Sequence, residues 1–389
     1  MRLKASFIAV MFGVLSTTAA TIALSAPQVL KIVTHSPLSG AQSTTGETIK
    51  FGTQLAVDDF GKILEPYNAK LVLQAEDDQS NPTVGVANAN RLIGDASVIG
   101  IIGHFNSGVA MATTEVYAKA NLVMISPANT NPKITERAST SKIANRVCGR
   151  DDVQGPAAQS FMSSHLKAKK IYVINDKTAY GSGLAQEFEK ASRKAGVQVL
   201  LSTGVDEKET DFSSILNRAV IEKPDVIFFG GIYSQGGLLL KQMRQKHIES
   251  VLLGGDGLDS AELQTIAGAA NIRNVYFTSV AMPLNQLPKA KSFIETYKTK
   301  FKKSPDGFAV ASYDAAHALI LATAESLKAK KGQAVDRADI AANVRKVNFE
   351  GLTGTIAFDN KGDIKAARYV VIEAGATPAQ NKTAAVITK

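Results

Sequence analysis

Tryptophan is absent from this 389-residue chain, and cysteine occurs once, as Cys148. A single thiol excludes an internal disulfide and leaves no lipid-acceptor cysteine behind the N-terminal segment. Cys148 itself reads as a small buried side chain. Only 6% of residues are aromatic, too few for a stacking surface that would hold nucleic acid. His35, His104, His165, His247 and His317 show no pairing at metal-ligand spacing. The chain also lacks G-x-x-x-x-G-K-[ST], G-x-G-x-x-G and G-x-S-x-G, so no phosphate loop, dinucleotide loop or nucleophile elbow can be placed. The adjacent pairs Asp58-Asp59 and Asp77-Asp78 point to different sides of a helix or strand and form no carboxylate dyad. Asp151-Asp152 reads as the cap of a helix beginning near Gln154. No catalytic motif, metal or cofactor is therefore expected, and the chain is not expected to be an enzyme.

What is present begins with a leader. Arg2 and Lys4 precede an apolar run from Phe7 to Leu15, and small residues follow, with cleavage after Ser25 or after Ala20. This is the pattern of a secretory signal peptide over residues 1–25, and it places the mature protein in the periplasm. Removing it takes two basic residues and no acid from the formal charge of +9, which leaves +7. The remaining lysines are scattered near helix ends and suit a solvated surface better than a nucleic-acid footprint. No later segment approaches about 18 uninterrupted apolar residues, so the mature chain reads as soluble.

Apolar runs of strand length then alternate with amphipathic stretches. Val29–Val33, Leu71–Gln74, Val98–Ile102, Leu122–Ile125, Ile171–Ile174, Val197–Leu201, Val226–Phe229, Val251–Leu253 and Val275–Thr278 are the candidate strands. Near-continuous apolarity, with helices between, is the pattern of parallel sheets covered on both faces. Nine such units exceed one sheet's comfortable width. A division near Val147–Asp152 gives two similar α/β lobes. Residues 354–365 and 367–372 read as a closing hairpin around Asp359–Gly362.

Ligands of open parallel sheets bind beyond the carboxyl ends of the strands. Here those ends carry small polar loops: His35–Gly40, His104–Gly108, Ser126–Thr130, Asp176–Gly181, Gly230–Ser234 and Gly254–Gly257. Ser107 precedes a helical spacing, so it either caps that helix or turns its hydroxyl to an anion held by the helix N–H groups. Thr130 and the Ala128 carbonyl can accept hydrogen bonds from a cation. Asp256 is either a turn aspartate or the opposite charge to that cation. Together these groups describe the two ends of an α-amino acid zwitterion. Tyr180, Phe105 and Phe308 could wall its side chain.

The ordered motifs Leu38–Gly40, Asp77-Asp78, Gly103–Ser107, Ser126–Thr130, Asp151–Gly155, Asp176–Gly181, Gly254–Gly257 and Tyr313–Ala316 resemble the periplasmic leucine/isoleucine/valine-binding proteins, the substrate-binding components of ABC importers. The resemblance spans the whole mature chain. It implies two Rossmann-like lobes with parallel sheets, joined by three crossover strands, with the ligand between them. The implied lobes are 26–148 plus 280–352 and 149–279 plus 353–389. It implies a monomer that hands an amino acid to an inner-membrane ABC permease. By matching motif, Ser107 would hold the carboxylate, Ala128 and Thr130 the ammonium and carboxylate, and Asp256 the ammonium. Tyr180 would be a cleft tyrosine and Phe308 a wall residue, with Phe105 and Asn106 flanking Ser107. The sequence departs from the family at three places. Thr45 stands where the family has a tyrosine, and Ile232 stands at another such tyrosine, with Tyr233 one place on. Residues 78–80 and Asn106 occupy the region of a cysteine pair present in some members. A related amide, short carboxylate or aromatic acid is the alternative ligand, and a secreted α/β enzyme the remote alternative.

Overall fold

The computed structural model describes residues 26–388 apart from Ala334; the signal-peptide reading of 1–25 lies outside the described residues. The strands are β1 (Gln28–Ser36), β2 (Ala69–Asp77), β3 (Val98–Gly103), β4 (Met124–Ser126), β5 (Ala144–Arg146), β6 (Lys170–Asn175), β7 (Gln198–Gly204), β8 (Val226–Gly230), β9 (Val251–Gly254), β10 (Val275–Ser279), β11 (Asn348–Glu350), β12 (Thr355–Ala357), β13 (Arg368–Glu373) and β14 (Lys382–Thr388). The α-helices are α1 (Ser43–Phe60), α2 (Pro82–Gly94), α3 (Ser107–Ala118), α4 (Lys133–Glu136), α5 (Asp151–Phe161), α6 (Ala179–Lys194), α7 (Ser213–Glu222), α8 (Tyr233–Gln245), α9 (Ala261–Ala267), α10 (Lys291–Phe301), α11 (Gly307–Ala329) and α12 (Arg337–Val344).

Two sheets organise these elements. The first is wholly parallel, in the order β2-β1-β3-β4-β5. The second runs β14-β13-β10-β9-β8-β6-β7, parallel from β10 to β7, with β13 and β14 antiparallel at one edge. Every residue of β3 and β8 is buried. That is why both strands read as unbroken apolar runs: helices cover the two sheet faces, so no position can be polar.

Helix starts follow their capping residues. Asn81 accepts from the Thr83 and Val84 N–H groups, with Pro82 as the first residue of α2. Thr178 caps α6 and Asp306 caps α11 in the same way. Helix α11 is long and apolar enough to cross a membrane, but most of it is buried inside the protein, where it packs on α1 and on the first sheet.

Helix α10 also packs on α1, whereas β13 lies in the second sheet beside β10. The chain therefore passes between the sheets three times: before α5, after β10 and before β13. The first and third passages are tied together. Buried Arg146 donates to Asp363 Oδ1 at 2.6 Å, and Arg150 donates to Asp363 Oδ2 at 2.6 Å.

The closing hairpin expected around Asp359–Gly362 does not form. Strand β12 pairs instead with β11, and a single bridge, Phe358 to Ile364, spans the turn. The cause is local. Asp359 accepts from the N–H groups of Lys361, Gly362 and Asp363, which closes a tight loop. Asp363 is then held by the two arginines, and β13 departs to fill the edge of the second sheet. Strands β5, β11 and β14 were not expected from the sequence; β5 and β11 have only three residues each, and β14 lies at the edge beyond the expected hairpin.

Candidate ligand-binding cleft

A cavity of about 360 Å³ opens between the carboxyl ends of the two sheets. Phe105, Asn106, Ser107 and Ala128 line it from the first half, and Tyr180, Ile232 and Asp256 from the second. Ser107 and Asp256 therefore face one space from opposite sides. Thr45, Thr130, Tyr233 and Phe308 are buried nearby but do not line it. Phe308 stands behind Phe105, its ring edge-on at 5.9 Å.

The loop after β3 is shaped by its neighbours. Gly103 has φ near +153°, and a Cβ there would lie 2.2 Å from the His35 carbonyl oxygen, so glycine is required. Asn129 accepts from the His104 N–H at 3.1 Å and donates to the Phe105 carbonyl at 2.7 Å. Ser126 Oγ accepts the N–H groups of Ala128 and Asn129. These bonds fix the loop after β4 against the loop after β3, which brings Ala128 to the same cavity as Ser107. Beneath them, His104 pairs with Asp78 at 2.8 Å and His35 with Tyr117 at 2.7 Å, all four residues buried.

Ser107 is not the cap of α3 but its first residue; Asn106 takes the cap position and makes no side-chain cap bond. The Asn106 amide donates instead to Gln42 Oε1 at 2.8 Å. The first-turn N–H groups of α3 thus reach the cleft without a side-chain cap, with the partial positive charge of a helix start.

On the facing wall, Asp256 is only 3% exposed. Its Oδ1 accepts from Gln154 Nε2 at 2.8 Å and from the Tyr180 hydroxyl at 3.0 Å. The Tyr180 hydroxyl in turn accepts the Gly257 N–H at 2.7 Å. Burial first, and then the nearby charge of Asp151, push the Asp256 carboxyl well above its ordinary range. Asp151 is the first residue of α5 rather than a cap. It is fully buried, and neither of its carboxylate oxygens has a hydrogen-bond partner. Thr130 Oγ1 and Gln154 Oε1 are buried acceptors in the same condition.

Asp151 and Gln154 were not singled out as site residues from sequence. Their i, i+3 spacing, which puts both on one face of α5, was the signal available. Two hydrogen bonds join the lips of the cleft: Tyr233 OH donates to the Ala41 carbonyl at 3.0 Å, and Asn131 Nδ2 to the Ala179 carbonyl at 2.7 Å. The cleft thus offers N–H donors at one end and acceptors with negative charge at the other.

A family profile described as periplasmic binding protein matches residues 29–377. The chain belongs to the periplasmic binding protein family. An amino acid binding protein of Pseudomonas aeruginosa is 32% identical over 363 residues, covering 90% of this chain and 94% of that one. A Leu/Ile/Val-binding protein homolog of Brucella abortus is 32% identical over 338 residues, 87% of this chain and 88% of its own. Among solved structures, a leucine binding protein of Thermotoga maritima superposes with TM-score 0.83 at 30% identity, over 92% of this chain and 98% of that one. A solute binding protein of R. palustris in complex with benzoate has TM-score 0.80 at 21% identity, over 92% of this chain and 96% of that one, and shares the fold. These type I binding proteins have the two-lobed α/β architecture that the motifs implied.

Proposed function

We propose that this chain captures an α-amino acid with a short aliphatic side chain between its lobes and delivers it to the membrane permease of an ABC importer. The observation that carries this reading is that Ser107, at an uncapped helix start, and Asp256, a buried carboxylate, line one cavity from opposite halves. A carboxylate sits well against the first and an ammonium against the second. In this reading Ser107 and the first N–H groups of α3 take the ligand carboxylate. The Ala128 carbonyl and Asp256 take the ammonium, with buried Thr130 behind them. Tyr180 positions Asp256, while Phe105, Ile232 and, from behind, Phe308 bound the side chain. The names of the Pseudomonas and Brucella relatives support the same ligand class.

The lobes are then 26–148 plus 280–352 and 149–279 plus 353–389, turning about the three passages. Contacts from both lobes to one ligand exist only when the lobes are together, so ligand favours closure. Tyr233, Asn106 and Thr45 serve the closing edge rather than the ligand: Tyr233 reaches Ala41, and Asn106 holds Gln42. The protein works as a periplasmic monomer that binds and releases its ligand unchanged. A thermal-shift screen of amino acids and small acids tests this. An amino acid at about 100 times its dissociation constant should stabilise the native state by about 2.7 kcal/mol. A screen in which only amine-free acids stabilise the protein would contradict it.

A further inference from the structure

The carboxylate Asp151 is left over once the ligand contacts are assigned. It lies in the first passage between the sheets, and its N–H donates to the Thr130 carbonyl at 2.9 Å. Its side chain is fully buried and both oxygens lack a hydrogen-bond partner. The Thr130 hydroxyl is near enough to favour the ionised form but is not aligned as a hydrogen bond. Asp256 is the second buried carboxylate of the same wall, and the two feel each other's charge.

The start of α5 lends Asp151 only the partial positive charge of a helix end. Around Asp151 stand Thr130, Arg146, Asp152, Glu187, Tyr180, Cys148 and Asp256. Arg146 is committed to the Asn129 and Asn131 carbonyls, Thr135 and Asp363, and the residue preceding Asp151, Arg150, to Asp152, Glu136 and Asp363. Around Asp256 stand Gln154, Tyr180, Asp259 and Asp151. Asp259 is itself an acid, bonded to Ser279. The Cys148 thiol and the Tyr180 hydroxyl are held neutral by burial. Among the described residues Lys208 is the only basic side chain lining the cavity, and Glu207 is beside it. Two buried carboxylates without a counter-charge do not both ionise.

We propose that only one of the two buried, uncompensated carboxyls Asp151 and Asp256 is ionised in the unliganded protein, and that a cationic ligand group expels the proton of the other to solvent on binding. The balance is simple. The pair goes from one negative charge to two, the ligand nitrogen keeps its own protons, and one proton leaves to the buffer. Asp151 is a positioning residue in this scheme. Once ionised it draws the Thr130 hydroxyl proton toward itself and steadies the loop that presents the Ala128 carbonyl to the ligand ammonium. Burial as the main cause lifts the Asp151 carboxyl to about 7, so the exchange falls in the neutral range. The consequence is selectivity for amines over bare acids, and a grip that loosens as pH falls. This inference rests on the amino-acid reading above.

Calorimetry of L-leucine binding at pH 7 in phosphate and in Tris, whose ionisation heats differ, reads the proton directly. The expected result is a buffer-dependent enthalpy equal to between about half and one proton released, with affinity rising up to tenfold per pH unit between pH 6 and 8. Asp151→Asn should still bind leucine but lose both the buffer dependence and the slope. The wild-type series needs no variant, so a poorly folding Asp151→Asn leaves the test intact. Leucine binding with a buffer-independent enthalpy and flat affinity would overturn the expulsion of the proton alone. Absence of binding by leucine or any other amino acid would overturn the amino-acid reading and the expulsion together. Carboxyl NMR of the unliganded protein completes the test. One of the two aspartates should titrate near neutral pH, and titration of both below pH 5 would overturn the retained proton.

Discussion

The hydroxyl of Tyr233, at the start of α8, donates to the carbonyl of Ala41 across the cleft at 3.0 Å. This bond joins the two halves directly and exists only while they are close. Tyr233→Phe removes the donor and leaves the ring. Its loss should favour the open arrangement and weaken ligand binding by about threefold to tenfold, the value of one net hydrogen bond. Calorimetry gives the affinity, and small-angle scattering of the liganded protein gives the opening. Unchanged affinity and an unchanged scattering curve would show that the bond carries no closing energy.

Asp256 is tested by Asp256→Ala. A charge-assisted hydrogen bond in a desolvated site is worth about 1.5–3 kcal/mol, so amino-acid affinity should fall by roughly 10- to 100-fold. The fold should persist, because the bonds lost, to Gln154 and Tyr180, belong to the cleft wall. Unaltered calorimetric affinity would remove Asp256 from the site.

The two arginines on Asp363 make the passage between the sheets rigid. Arg146 has no exposed side-chain surface and would be left partly unpaired by Asp363→Ala. Removing one partner of a buried ion pair costs about 3–5 kcal/mol, and denaturant unfolding of the unliganded protein should show a loss of that order. The neighbouring arginines hold the Asp363 carboxyl below its ordinary range. Its stabilisation is therefore present above the unfolded value near pH 4 and lost as pH falls through the lower folded value.

Other carboxyls act in the opposite sense. Burial raises Asp151 to about 7, and Asp176, Asp259 and Asp306 to about 6. Between about pH 4 and 7 the folded state then holds protons that the unfolded chain has released, so stability falls as pH rises. The melting temperature of the unliganded protein should decline from pH 5 to pH 8. Asp151→Asn should flatten part of that decline, by roughly 4 kcal/mol at most. A melting temperature that rises from pH 5 to 8 would contradict the buried acids as described.

Much of the fold is legible in the sequence because its central strands are buried on both faces. All nine apolar runs became strands; in central strands such as β3 and β8 nothing but apolar residues could occupy the positions, while the edge strands β2 and β7 are only partly buried. What failed was short or non-local. Strand β5 is three residues long, and the expected hairpin dissolved because Asp359 closes its own loop and Asp363 is drawn to arginines more than 200 positions earlier. Composition cannot announce a return crossing, so the proposed discontinuous halves rest on motif resemblance. In the cleft, Ser107 and Asp256 were legible because small polar loops at strand ends have few structural duties. Asp151 was read as a helix cap, since an Asp-Asp pair before a helix usually is one. Its burial against Thr130 depends on the loop after β4 meeting the start of α5, which no local pattern encodes.

The most direct test of the account compares three ligands by calorimetry at one pH: L-leucine, 4-methylpentanoate, which lacks the amine, and isopentylamine, which lacks the carboxylate. Leucine should bind, and each truncated compound should bind at least about tenfold to a hundredfold more weakly, because each leaves one charged wall of the cleft unanswered. Equal affinity for 4-methylpentanoate and leucine would contradict the grip of Asp256 on an ammonium.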